Sequence, residues 1–329
     1  MDKRREALQE WVARSAAGHV QSMTALAGDA SFRRYFRVNL ADGGSLVAMD
    51  APPEKEDTAA FMRVQQMLQR MGVLVPYVVA ENAARGFLLL ADLGDRTWLE
   101  VLTPDNVDRY YARAIDTLIR IQINGRAEVS RLPDYNRDLL LREMHLFRDW
   151  YLRKRVGMQL GKQDRADLDA AFDYLAEAAL AQPRVFVHRD FHSRNLIVTP
   201  GGRPGVVDFQ DAVHGPLTYD LVSLLRDCYI AWPRQRVEGW ALDYLGKARK
   251  AGLTGMSNDD FLRAFYTMGV QRHLKAVGIF ARLRHRDGKP GYLADIPRTL
   301  AYIRQYTAEC EPLAGLARVI DRSMGKAAA

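Results

Sequence analysis

Asp190, Asn195 and Asp208 are the residues whose types and spacing could do chemistry. They lie in the stretch Val185–Phe209, which reads VFVHRDFHSRNLIVTPGGRPGVVDF. A carboxylate such as Asp190 can orient a hydroxyl nucleophile and take its proton. Asn195 and Asp208 offer an amide and a carboxylate oxygen, the hard donors that Mg2+ prefers, and that ion binds through few protein groups. The spacing H-R-D-x-x-x-x-N followed by V-D-F is one that serves phosphoryl transfer from ATP to an alcohol. His188, two residues before Asp190, reads as a brace for the loop. The same polar residues could instead only make the turns of a β-hairpin. An Asp-x4-Asn pair alone would not separate these readings; the V-D-F a hairpin's length later favours catalysis.

Three short apolar runs must position these groups: Val185–Val187, Leu196–Val198 and Val206–Val207. Runs this short, bounded by Pro and Gly, predict buried strands rather than helix. The polar residues then fall at strand ends and turns, where a rigid scaffold aims them at one place.

The totals exclude several classes. In 329 residues, 48% are hydrophobic and 26% charged, as in ordinary globular proteins. The net charge is +7, but Lys and Arg are dispersed, without the basic run that nucleic-acid binding favours. The two cysteines, Cys228 and Cys310, lack the spacing of a zinc site or a disulfide framework. They fit reduced thiols and a cytoplasmic setting. The N-terminus carries acids among its bases and is a poor signal peptide, and no apolar run is long enough to span a membrane. No protein partner is evident.

HRDFHSRN, VVDFQDA and GPLTYDL together resemble the aminoglycoside phosphotransferase and choline kinase group of small-molecule kinases. Protein kinases usually have Leu where Phe191 stands and Gly where Gln210 stands; His192 is typical of the small-molecule group. GDASFRRYFRV, MDAPPEKED and QRHLKAVGIFARL are similar to the sugar kinases of bacterial cell-wall recycling. The resemblance covers most of the chain. It implies an α+β, protein-kinase-like two-lobe fold: a small β-rich N-lobe over 1–93 and a larger, mainly helical C-lobe over 94–329. It also implies ATP and Mg2+ as cofactors. The acceptor it implies is a small amino sugar, N-acetylmuramate or N-acetylglucosamine, phosphorylated at the anomeric hydroxyl.

Leu8, Trp11 and Val12 are spaced for a short amphipathic helix. Phe32, Tyr35, Phe36 and Val38 suggest a strand, Asp42-Gly43-Gly44 a hairpin turn, and Ser45–Met49 the return. In the resembling fold the turn before the first of these strands covers phosphate, which makes Asp29, Ala30, Ser31, Phe32 and Arg33 nucleotide-binding candidates, with Arg34 alongside. No G-x-x-x-x-G-K-[ST] motif occurs, so this is not a P-loop. Protein kinases end the next strand in Lys and pair it with a Glu on the following helix. Here the strand reads Val47-Ala48-Met49-Asp50, and the helix Thr58–Met71 has no Glu. Lys55 or an arginine of the loop could replace the lysine; the alternative is a pseudokinase that binds nucleotide without turnover. Pro76–Val79 and Phe87–Leu90 predict two more strands. Ala91, Asp92 and Leu93 follow at the place of the interlobe hinge, where backbone groups would meet adenine.

Beyond Gly94 the chain turns helical, with Thr103-Pro104 as a helix start. Apolar spacing predicts helices over Tyr110–Gln122, Asn136–Val156 and Asp164–Ala181. Glu143 borders the stripe of the second and is a candidate for acceptor binding, although such stripes more often face a core. Asp220 opens a helix expected to reach Tyr229, and the resemblance makes it a structural brace of the catalytic loop. Asp211, three residues past Asp208, could reach a second ion or the sugar. A last long helix begins at Ser257 with a capping-box pattern to Asp260. Arg272 falls on its apolar stripe, either as half of a structural ion pair or facing an acidic ligand with His273 or Lys275 beside it. From Ala251 onward 12 Lys and Arg face 7 Asp and Glu. That balance suits a neutral or anionic acceptor better than a polycationic aminoglycoside; choline and homoserine remain alternatives.

Overall fold

The computed structural model describes residues 2–26 and 32–328. It divides into two compact units, one formed by Met1–Val101 with Arg194–Asp211 and the other by Leu102–Ser193 with Ala212–Ala329. The first unit thus extends past Leu93 and takes in a segment from the middle of the chain. Asn195 and Asp208 belong to it, and Asp190 to the second.

The first unit begins with α1 (Lys3–Ser15), capped by the Asp2 side chain on the Arg5 N–H. Then come β1 (Val20–Ala25), β2 (Arg34–Leu40), β3 (Ser45–Asp50), α2 (Thr58–Arg70), β4 (Val78–Asn82), β5 (Phe87–Ala91) and the single turn α3 (Trp98–Val101). The strands form one antiparallel sheet in the order β1-β2-β3-β5-β4. Strand alternation gives its two faces different work. Phe36, Val38, Ala48, Phe87 and Leu89 pack with Leu8, Trp11 and Val12 of α1 in one apolar cluster. Tyr35, Arg37, Val47 and Leu90 point the other way, into a cavity. Asp57 caps α2 through the Ala59 N–H.

The second unit is mainly helical. Its elements are α4 (Val107–Asn124), α5 (Arg137–Leu146), a π-helical continuation over Phe147–Arg155, α6 (Lys162–Leu180) and β6 (Arg184–Val187). A hairpin of β7 (Leu196–Ile197) and β8 (Gly205–Val206), which belongs to the first unit, interrupts the sequence. The second unit resumes with β9 (Val213–Pro216), α7 (Tyr219–Leu225), α8 (Arg234–Lys250), α9 (Asn258–Asp287), α10 (Ile296–Thr307) and α11 (Ala314–Ala328). The long α9 is its axis, packed against α5, the π segment, α6, α7 and α10. Gly278 makes this possible: a Cβ there would lie 2.4 Å from the Leu146 carbonyl carbon, where α5 passes into the π segment. Among the described residues, no helix is long and apolar enough to cross a membrane.

Several boundaries differ from expectation for local reasons. The helix expected from Thr103 starts at Val107, because the Asn106 side chain accepts the Thr103 N–H and holds the preceding residues in a turn. The helix opened by Tyr219 stops at Leu225, where Arg226 leaves helical dihedrals (φ −121°, ψ 51°) and the Asp227 side chain takes the Tyr229 N–H. The helix from Asn136 begins as expected, with Asn136 capping Leu139, but turns π-helical at Phe147.

Candidate active site

In the first unit, the hairpin of β7 and β8 brings Asn195 and Asp208 together. Leu196 pairs with Val206, and the Val207 N–H donates to the Asn195 carbonyl. Asn195 Nδ2 lies 3.4 Å from Asp208 Oδ2. Gln210 Nε2 donates to Asp208 Oδ1 at 2.9 Å. Asp208 has φ +62°, in the left-handed region that a non-glycine residue occupies at a cost of about 1–3 kcal/mol. Such strain marks a carboxylate aimed by its surroundings. Among the described residues, no group of three or more His, Cys, Asp or Glu could hold a metal. One amide and one carboxylate nevertheless fit Mg2+, which keeps several waters and is completed by phosphate oxygens.

The same unit holds a cavity of about 340 Å³. Leu26, Val47, Leu90, Leu93, Ile197 and Phe209 give it apolar walls, with Asn195 and Asp208 also on its lining. That size and lining suit a purine base. Ala91, Asp92 and Leu93 all border it. The Asp92 side chain is already engaged: it accepts from Arg37 Nε at 2.7 Å, from Ser45 Oγ and from the Gly94 N–H. Burial works against its ionised form, but Arg37 and these donors hold its carboxyl below the usual range. Gly94, at φ +115°, closes the turn in a conformation that L side chains rarely adopt. Of the loop candidates, Phe32 and Arg33 are described, and Asp29, Ala30 and Ser31 lie outside the described residues. Arg33 is buried, with Nη2 3.4 Å from Asp208 Oδ1. Asp211 is exposed at the end of this unit and accepts from Gln210 Nε2 at 3.2 Å.

In the second unit, Asp190 sits on a loop that other carboxylates hold. The fully buried Asp220 accepts the His188 and Arg189 N–H groups at 2.7 and 2.9 Å. Burial pushes the Asp220 carboxyl up to about 7, although these donors pull the other way. His188, also fully buried, accepts the Asp190 N–H on Nδ1 at 3.3 Å. Arg189 takes φ +78°. Asp227 fixes the loop's far end by accepting from the Ser193 N–H and Oγ. Burial alone would raise the Asp190 carboxyl, but Lys275, His192, Arg272 and Arg189 together hold it well below the ordinary carboxylate range. Asp190 is therefore ionised at any physiological pH, ready to orient and accept from a hydroxyl.

Glu143 is buried beneath this cluster. It pairs with Arg189, lies 3.3 Å from Lys275 Nζ and accepts from the Tyr135 hydroxyl. Burial would raise its carboxyl, yet Lys275 and Arg189 keep it ionised. Arg272 is 5% exposed. Among the described residues Arg272 does not form the ion pair that is one of its two readings: its Nη1 lies 3.7 Å from Cys228 Sγ, and its Nε has no hydrogen-bond partner there. His273 points elsewhere, with Nε2 2.8 Å from the Arg226 carbonyl and its ring stacked on Tyr302. The second unit thus gathers Asp190, Arg189, Arg272, Lys275 and Glu143, and leaves His273 apart. Of the two residues read as standing beside Arg272, it is Lys275 that joins the cluster. Its spacing of three from Arg272 on α9 was the available signal, since such residues share a helix face.

Arg272→Met is expected to move the acid limb of kcat/KM upward in pH, because it removes one of the charges that depress Asp190. Asp190 has its depressed value in the folded protein, so activity is retained above that value and lost as pH falls through it. Because the wild-type limb lies well below the ordinary carboxylate range, kcat/KM profiles of both proteins carried down in pH until activity is lost, with folding followed in parallel, check this; superimposed acid limbs would exclude the electrostatic role of Arg272.

A sheet-rich first unit, a helical second unit and these two clusters define a protein-kinase-like fold. The chain belongs to the phosphotransferase enzyme family, which it matches over residues 22–257. It is 48% identical over 293 residues to an N-acetylmuramate/N-acetylglucosamine kinase of Pseudomonas aeruginosa, covering 89% of this chain and 86% of that one. A protein of the same name from Pseudomonas putida is 46% identical over 302 residues, or 91% and 87% of the two chains. Among solved structures, choline kinase LicA of Streptococcus pneumoniae superposes with a TM-score of 0.65 at 12% identity, over 93% of this chain and 100% of that one. The fold expected from sequence is the fold observed.

Proposed function

We propose that the protein transfers the γ-phosphoryl group of ATP to the anomeric hydroxyl of N-acetylmuramate and N-acetylglucosamine, in the recycling of peptidoglycan sugars. The observation that carries this reading is the identity of 46–48% with two relatives so named, along about nine-tenths of the chain. Asp190 orients the acceptor hydroxyl and accepts its proton. An anomeric hydroxyl is more acidic than an ordinary alcohol, which suits a carboxylate held so firmly ionised. Asn195 and Asp208 hold Mg2+, which when bound offsets charge on the phosphoryl oxygens. Ala91–Leu93 meet adenine through backbone groups, since the Asp92 side chain is committed to Arg37. Most of the rate enhancement then comes from positioning and charge. His188 and Asp220 brace the catalytic loop, and Glu143 fixes Arg189 and Lys275.

The charge around Asp190 supports an acceptor that is neutral or anionic. Arg189, Arg272 and Lys275 surround Asp190 and Glu143, so the cluster is not the acidic pocket that a polycationic aminoglycoside would want. Arg272, which forms no ion pair among the described residues, is the candidate for the lactyl carboxylate of a muramic acid. The use of ATP and two free cysteines fit a cytoplasmic setting.

ADP release with Mg–ATP tests the reading against N-acetylmuramate, N-acetylglucosamine, kanamycin, choline and homoserine. Turnover is expected on the two amino sugars. Turnover only on kanamycin, choline or homoserine would reject the acceptor, and silence on all five with nucleotide still bound would favour a nucleotide-binding regulator.

A further inference from the structure

In protein kinases a lysine near the end of the third strand pairs with a helix glutamate, and both must be in place for catalysis. Neither position is filled here, and the register shows why. Tyr35 pairs with Met49 and Arg37 with Val47. Met49 therefore shares the cavity face with Tyr35, Arg37 and Val47, and is apolar and buried. Asp50 lies on the opposite face, fully buried and neutralised by Arg4 of α1 and Arg34 of β2. The cavity face of β3 thus ends without a charge.

Arg33 immediately precedes β2, and its guanidinium reaches Asp208, which lines the cavity. Its Nε lies 3.6 Å from Glu56 Oε2, and its Nη2 3.4 Å from Asp208 Oδ1. Glu56 is itself fixed. Its other oxygen accepts the Phe32 N–H at 3.0 Å, and its own N–H closes the turn onto the Pro52 carbonyl. Lys55, the other cation of this turn, is exposed and sits 4.4 Å over the Phe32 ring.

We propose that Arg33, held by Glu56, is the nucleotide's phosphate-binding cation, doing from the residue before β2 what a lysine does from β3 in protein kinases. The proposal rests on the nucleotide reading above and deepens it. A guanidinium suits the task because its planar fork can keep one nitrogen on Glu56 while another meets a phosphate oxygen. Glu56 is the positioning residue of the pair. An ion pair of the same chemistry is thus retained, moved by one strand and one turn.

Binding of ADP and of adenosine, measured calorimetrically in the presence of Mg2+, tests this without any acceptor sugar. Adenosine shares the base and ribose but has no phosphate. Arg33→Ala should weaken ADP binding by about 10- to 100-fold and leave adenosine unchanged. Arg33→Lys should retain more ADP affinity than Arg33→Ala. Glu56→Gln should weaken ADP in the wild-type background and add nothing to Arg33→Ala, the coupling expected of two residues acting as one unit. Undiminished ADP binding, or equal loss for ADP and adenosine, would overturn the role of Arg33. Additive effects of the two substitutions would overturn that of Glu56. A wild-type protein that bound neither compound would reject the nucleotide reading and Arg33's role with it, whereas failure of the acceptor assignment alone would leave these results intact.

Discussion

Asp190→Asn should lower kcat by between about 100- and 10,000-fold, the range of a positioned general base, while KM for the sugar stays near its wild-type value. The amide keeps the shape and can still accept a hydrogen bond from the acceptor hydroxyl, so binding survives. It cannot take the proton. The surrounding fold should hold, because the brace made by Asp220, His188 and Asp227 acts on the backbone of the loop and on Ser193, not on the Asp190 carboxylate. Steady-state kinetics beside a melting curve separates the two effects. A kcat within threefold of wild type would remove Asp190 from the chemistry.

The second large effect is expected at Asp208. Asp208→Asn should lower kcat by about 100- to 1,000-fold and raise the Mg2+ concentration needed for half-maximal rate. Asn is the informative replacement because it tolerates positive φ better than most residues, so the backbone at +62° is not disturbed. The loss then reports the charge and not the conformation. Titration of the rate with Mg2+ checks it. An unchanged metal requirement would mean that Asp208 does not hold the ion.

The sequence made the catalytic stretch legible because its residues are close neighbours and short apolar runs fix the turns between them. Asn195 and Asp208 do meet across a hairpin, as the strand pattern implied. The missing strand lysine was also visible, but its replacement was not. Choosing among Arg33, Arg34 and Lys55 requires knowing which face of the sheet each side chain takes, and that depends on register. Register assigns Arg34 to Asp50 on the α1 face, whereas Arg33, just before β2, reaches Asp208 on the cavity lining. The pairing of β6 with β9 was not legible either: local pattern gives each strand but not its partner 26 residues on.

Helices were read where an apolar stripe was wide. The strand β1 was missed because its residues are only partly buried, so VQSMTA lacks a clear alternation. The π segment was missed because its cause is tertiary: α9 passes against Leu146 and Phe147 at Gly278. Glu143 looked like a stripe-border acid of open role. Only the fold brings Arg189 and Lys275, from elements distant in sequence, onto its carboxylate.

The most direct test is NMR of the product formed from N-acetylmuramate and Mg–ATP. The expected product has one phosphorus, coupled to the anomeric proton, formed by the wild-type protein and greatly slowed in Asp190→Asn. A phosphate on any other sugar carbon, or ADP released with only inorganic phosphate, would contradict transfer to the anomeric hydroxyl.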